Sequence, residues 1–306
     1  MHTLDMAHEF LHTCYGGAVS VADVPQATLM HRLSLEMGVL EQWRITVGQP
    51  AWVSWTLFVS QPLKQSSSQR MLLSPDGCWP QCINSDALRA CAEQGVWQAW
   101  FNRLEIAHDP PDGSRHGAFY DQFPANSSGC LAVWAWGLSA SAGILRSLYP
   151  QLKIGVIGHS RGGKAALLAA AMDAQIDAVI SHNSGTGGAA SLAVSGNEAE
   201  SLAQLAAQFP HWLGTQAQDA AKQARLREID CMALWAHIAP RPLLILQAQD
   251  DLWANPLGTR HVYQALQPHW SQADALPSLR LLERCGGHAM QPADWLAAAQ
   301  FMHEFC

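Results

Sequence analysis

From about residue 50 onward, short apolar runs alternate with longer stretches whose apolar positions recur every three to four residues. Residues 52–59 (WVSWTLFV), rich in β-branched and aromatic side chains, predict a strand. A polar loop is expected at 61–68, then a short apolar run at 70–73 that stops at the turn signal Ser74-Pro75-Asp76-Gly77. Residues 86–94 suit a helix and 95–107 hold another strand, ahead of the loop Asp109-Pro110-Pro111-Asp112-Gly113. Within 130–148, Leu131, Trp134, Leu138, Ile144 and Leu145 fall at helical spacing, predicting a long helix packed on a sheet. The runs 153–157 (KIGVI), 177–181 (DAVIS) and 242–247 (PLLILQ) are continuously apolar, the pattern of strands covered on both faces. Between the first two, 164–173 (KAALLAAAMD) has strong helix propensity. Strands alternating with helices make the chain α/β, with a mostly parallel central sheet and helices on both faces. Residues 1–50 are expected to be a helical and irregular lead-in packed on one domain spanning 1–306.

Composition narrows the classes of function. The chain has 306 residues, of which 49% are apolar and 14% charged, which favours a packed globular protein over a disordered one. A net charge of −7 without any basic run excludes a surface that tracks nucleic-acid phosphates. Read for apolar runs, no stretch approaches the roughly 20 residues of a bilayer span. The start, MHTLDMAHEF, lacks a basic segment followed by an apolar one. The expectation is a soluble, cytoplasmic protein with no membrane partner.

Two metal patterns fail on context. Cys78 and Cys82 have the spacing of half a zinc site, but none of the other six scattered cysteines completes it, so free thiols are expected. His8-Glu9-Phe10-Leu11-His12 matches H-E-x-x-H, yet only seven residues precede it, too few for the sheet on which a zinc peptidase sets that helix. No metal and no cofactor is expected.

The chemistry centres on Gly158-His159-Ser160-Arg161-Gly162. A serine hydroxyl is a poor nucleophile until a base takes its proton and donors stabilise the oxyanion that forms. G-x-S-x-G places such a serine on a sharp strand-to-helix turn, and here KIGVI ends directly before Gly158 while the Ala-rich helix is expected just after Gly162. That context predicts an α/β-hydrolase fold, in which an acid and then a histidine follow the serine in chain order. Asp250 and Asp251 come directly after the strand PLLILQ. Asp251 is preferred because Leu252-Trp253-Ala254-Asn255-Pro256 resembles the turn after a triad acid. His288, in the loop Arg284-Cys285-Gly286-Gly287-His288 ahead of a helix beginning near Pro292, is the histidine in the right place. No HGGG-type loop supplies a second oxyanion donor.

The segments GHSRGGKAAL, NSGTGGAA, FPHWL, DDLWANP and GGHAMQPADW, spread over roughly residues 115–306, resemble the glucuronoyl esterases, a family of carbohydrate esterases. The resemblance implies that Arg161 helps stabilise the oxyanion, that Lys164 binds uronate hydroxyls, and that Glu200 and Trp253 contact the sugar. It implies a carbohydrate ester substrate and hydrolysis through an acyl-enzyme. Many members place the acid as a glutamate just before SGxGG. Here that position is Asn183, an amide, so the acid is expected from the later strand, at Asp251 or Asp250. Two other readings stay open: a serine esterase of the same fold acting on small acyl esters or acetylated sugars, and a carbohydrate-binding relative without turnover.

Overall fold

In the computed structural model, which describes residues 3–64, 69–80 and 82–306, nine strands of the described residues form one mixed sheet. In chain order they are β1 (Gln26–Leu35), β2 (Gly38–Val47), β3 (Val53–Pro62), β4 (Arg70–Ser74), β5 (Val96–Phe101), β6 (Lys153–His159), β7 (Ala178–His182), β8 (Leu243–Ala248) and β9 (Leu279–Arg284). Across the sheet they run β1-β2-β3-β5-β4-β6-β7-β8-β9. The pairs from β1 to β5 are antiparallel, and those from β5 through β4 to β9 are parallel.

The continuous apolar runs are the parallel strands, and alternate residues serve opposite faces because successive side chains in a strand point opposite ways. Leu73, Val156, Val179 and Ile245 join one core, with the helices Cys130–Leu148, Arg161–Met172 and Pro256–Ser271. Leu72, Ile157, Ile180 and Leu246 join the other, with the helices Ser85–Glu93 and Pro292–Phe305. Helices therefore cover both faces, as expected, and the C-terminal ends of β6, β7 and β8 open on the same edge of the sheet.

The lead-in departs from expectation. Residues 26–47 form the ten-residue strands β1 and β2, paired from Gln26 with Thr46 to Leu35 with Gly38, with a bulge between Leu29 and His31. β1 is an edge strand exposed along nearly its whole length, so its sequence carries no buried alternation to read. In β2 the buried Glu41, whose carboxylate accepts from Trp43 Nε1 at 3.0 Å, interrupts the apolar pattern.

Other boundaries shift for local reasons. The strand expected through 107 ends at Phe101, where the Asn102 side chain accepts from Leu104 N at 2.9 Å and starts a short 3-10 turn. β3 runs to Pro62, so the polar loop begins later than residue 61, and its residues 65–68 lie outside the described residues. Contrary to expectation, helix Cys130–Leu148 reaches the length and apolarity of a bilayer span, with 19 residues at a mean hydropathy of 1.2, because small residues and serines interrupt its apolar run while leaving its mean that high. It is packed in the core, with Leu131, Trp134, Leu138 and Leu145 fully buried and the Trp134 indole N–H donating to Ala107 O at 2.9 Å.

Candidate active site

β6 ends at His159, and Ser160 follows at φ 55° and ψ −121°, a positive φ that side-chain-bearing residues rarely adopt. Helix Arg161–Met172 begins on the next residue, earlier than the expected start after Gly162. Close approach accounts for the two glycines of the motif. A Cβ on Gly158 would lie 2.1 Å from Gly162 O, and one on Gly162 would lie 2.1 Å from Asp76 Oδ1. Ser160 N donates to His182 O at 2.8 Å, and His159 N donates to Asp76 Oδ2 at 2.7 Å. Asp76 is itself paired with Arg103, whose guanidinium lies 4.3 Å from the Trp79 ring centre and 4.9 Å from that of Trp134. The Ser74–Gly77 turn thus supplies a buried carboxylate that braces the elbow, and the sequence signal for it was no more than a turn.

The structure separates the two candidate acids. Asp251 is buried and its Oδ2 lies 2.6 Å from His288 Nδ1. Asp250 is exposed and accepts from Gly286 N at 2.6 Å, so it holds the histidine's loop and does not touch the imidazole. Asn183, at the position of the family's glutamate, accepts from Ala248 N at 2.7 Å and donates to His288 O at 2.9 Å. A carboxylate there could accept but not donate, so the amide ties the end of β8 to the histidine loop.

Ser160, Arg161, Lys164, Asn183, Glu200, Trp253 and His288 all line one cavity of about 190 Å³. The candidate nucleophile, base, oxyanion and sugar-contacting residues are therefore brought together, with Asp251 behind His288 and Asp250 outside the cavity. Lys164 is buried, and its Nζ donates to Ser184 O at 2.6 Å and to Thr186 O at 2.5 Å. Burial lowers its pKa to about 8 against the pull of Glu200. Glu200, also buried, has its carboxyl pushed up by burial, which outweighs Lys164 and the Trp253 indole. Trp253 is half exposed at the rim.

Arg161 is held more firmly than its sequence position foretold. Its Nη1 lies 2.5 Å from Asp109 Oδ2 and its guanidinium 4.4 Å from the Trp212 ring centre. Asp109 also accepts from His211 Nε2 at 2.8 Å and Trp212 Nε1 at 2.7 Å. Burial would raise this carboxyl, but those donors and Arg161 hold it well below the usual carboxylate range. Asp109 was legible only as part of a Pro-rich loop. Among the described residues no group of three or more His, Cys, Asp or Glu side chains could hold a metal ion. In the H-E-x-x-H segment Arg225 pairs with Glu9, and Cys78 and Cys82 are free thiols.

A family model described as "Glucuronyl esterase, fungi" matches residues 58–273. The chain belongs to the glucuronoyl esterase family. Among curated members, it is 27% identical over 76% of its length to a 4-O-methyl-glucuronoyl methylesterase 1 of Wolfiporia cocos. It is 31% identical over 65% of its length to a 4-O-methyl-glucuronoyl methylesterase of Hypocrea jecorina. It spans 59% and 45% of those two proteins, about half the length of the curated relatives it matches. Among solved structures, a promiscuous CE15 esterase from a marine bacterial metagenome superposes with a TM-score of 0.82 at 20% identity, covering 99% of this chain and 91% of that one. The fold is the expected α/β-hydrolase type.

Proposed function

We propose that this glucuronoyl esterase family member is a serine esterase that cleaves esters of a uronic acid through an acyl-enzyme. One observation carries the reading: the strained Ser160, the His288 paired with Asp251, the buried cation Lys164 and the buried carboxylate Glu200 share a single small cavity. At about 190 Å³ it falls below the roughly 300–1,000 Å³ of pockets for drug-sized ligands, which suits one sugar unit. Two of the three Lys164 N–H groups are taken by backbone carbonyls, leaving one for a sugar hydroxyl, while Glu200 accepts from another.

In the proposed reaction Ser160 Oγ attacks the ester carbonyl and His288 takes its proton. Asp251 holds the imidazole with the proton on Nδ1 and stabilises the imidazolium. Oxyanion charge develops in front of the backbone N–H of Arg161, one of the unpaired donors at a helix N-terminus, and beside a guanidinium that Asp109 keeps in place. The imidazolium then protonates the leaving alcohol. Water, activated by the same base, attacks the acyl-serine, releasing the uronic acid and restoring the hydroxyl.

Rates on a benzyl or methyl glucuronate and on an aryl acetate test this. Ser160→Ala should abolish both activities, and Lys164→Ala should raise KM for the uronate ester while leaving the acetate turnover near wild type. Equal loss on both substrates in Lys164→Ala would move the assignment to small acyl esters, and wild-type turnover by Ser160→Ala would overturn the mechanism.

A further inference from the structure

The loop that carries His288 has little packing to order it. Cys285, Gly286, Gly287, His288 and Ala289 are all exposed, and nothing lies within 4 Å of where a Gly287 side chain would begin. Its place therefore rests on hydrogen bonds to its backbone: Asp250 and Asn183 hold Gly286 and His288, and one further side chain supplies three more. Arg284 Nη1 donates to Cys285 O at 3.1 Å and Gly287 O at 3.4 Å, and its Nη2 donates to Ala289 O at 2.6 Å. The guanidinium thus grips carbonyls on both sides of the histidine.

Arg284 is itself aimed. Its Nε donates to both oxygens of Asp294, at 2.9 and 3.0 Å, and Asp294 also meets His182 Nε2 at 3.1 Å. His182 Nδ1 lies 2.8 Å from His159 Nδ1, and the His159 ring centre is 4.6 Å from that of His288. Burial would raise the Asp294 carboxyl, but His182 and Arg284 hold it down at about 2, so it is a carboxylate that accepts from His182 Nε2–H. A neutral His182 then presents a bare Nδ1, and His159 must donate to it from Nδ1–H. The chain of contacts leaves Arg284, passes through Asp294, His182 and His159, and returns to the imidazole that Arg284's loop carries.

We propose that Arg284, oriented by Asp294, is a positioning residue for His288, fixing the loop so that the imidazole meets Asp251 and Ser160. This rests on the esterase reading only in taking Ser160 as nucleophile and His288 as base. The test is the rate at which a fluorophosphonate labels Ser160, which needs the base but no uronate pocket. Arg284→Gln should slow labelling about 100-fold, the scale of a misplacement of about 1 Å. Arg284→Lys, which keeps a cation but loses the planar fork, should recover only part of that, and millimolar guanidinium should partly rescue Arg284→Ala. With a uronate ester the loss should fall on kcat, with KM within about threefold of wild type. In a His288→Ala background Arg284→Gln should cost nothing further, because a residue acting through the base has nothing left to position. Asp294→Asn, which loosens the arginine without removing it, should reproduce the pattern at smaller amplitude and covers the case in which Arg284→Gln does not fold. Wild-type labelling by Arg284→Gln, or the same loss with and without His288, would overturn the inference while leaving the esterase reading intact. A wild-type protein that does not label would overturn both.

Discussion

Two of the aspartate–histidine pairs around the site, Asp251–His288 and Asp294–His182, are built from the same residue types and arranged for different work. In the first, Asp251 Oδ2 is 2.6 Å from His288 Nδ1, and the imidazole side chain is 47% exposed at the cavity. In the second, Asp294 Oδ2 is 3.1 Å from His182 Nε2, and that imidazole is wholly buried. Both carboxylates are nearly buried, so the acid does not distinguish the pairs. Access does: an imidazole open to the cavity can take a proton from a substrate-bound nucleophile and give it to a leaving group. A sealed one has no proton partner outside the protein, and it transmits only orientation. A buried Asp–His pair near a nucleophile is therefore not evidence of a triad until one ring nitrogen is shown to face the reacting atoms.

The most severe test of that contrast removes each imidazole. His288→Ala is expected to lower kcat/KM by at least about 10⁴-fold, whereas His182→Gln should cost about 10- to 100-fold, through displacement of neighbouring groups. Steady-state kinetics on an activated ester reads both, and equal losses would mean that the buried pair takes part in proton transfer. The acids are next. Asp251→Asn should lower kcat by about 10⁴-fold, because an amide donating to Nδ1 imposes the wrong tautomer. Asp250→Asn should cost about tenfold or less, since it loosens only the hydrogen bond to Gly286 N. Reversal of that order would move the triad acid to Asp250.

Asp294 should show its role in stability more than in chemistry. Its folded pKa of about 2 lies below its ordinary 3.8, so ionised Asp294 favours the folded state above about pH 4, and that contribution fades as the pH falls toward 2. Asp294→Asn should unfold in urea with about 2 kcal/mol less free energy at pH 7. The gap should close between about pH 4 and 2. A constant difference down to pH 2 would mean that the lost packing matters and the charge does not.

How much of this was legible follows burial. β4, β6, β7 and β8 are covered on both faces, so their sequences are plain apolar runs, and the elbow between β6 and its helix announces itself through glycines that close contact requires. Chain order then narrowed the base to His288 and the acid to two adjacent aspartates. β1 was illegible because an exposed edge strand buries no alternating set, and β2 because Glu41 occupies a buried position. The second pair was illegible for another reason. His159, His182, Arg284 and Asp294 come from β6, β7, β9 and the C-terminal helix, and no local spacing links them. Only the parallel register, with His159 beside His182, and the approach of the helix start to the end of β9 create the set. In the sequence Asn183 reads as the loss of an acid, and only the position of His288 O shows its gain as a donor.

The buried pair makes one further demand that the exposed pair does not. Burial lowers the pKa of His182, and it lowers that of His159 to about 2, with the neighbouring His182 and His288 adding to the effect on His159. Facing these rings are Asp294 and Arg284 from the C-terminal helix and β9, His288 from the loop after β9, Arg103 from the turn after β5, and Trp79. Asp294 pulls the two pKa values upward, and it does not offset the cost of charging a ring away from water. In the unfolded chain both imidazoles bind protons below about pH 6.5. The folded state takes them up only at lower pH, so these two residues weaken stability progressively as the pH falls below that value. The ring-carbon NMR signals of His159 should accordingly be the same at pH 8 and pH 5, assigned by comparison with His159→Gln. A shift in that signal would place a proton on the ring beneath His288, and the buried pair would then be able to exchange protons after all.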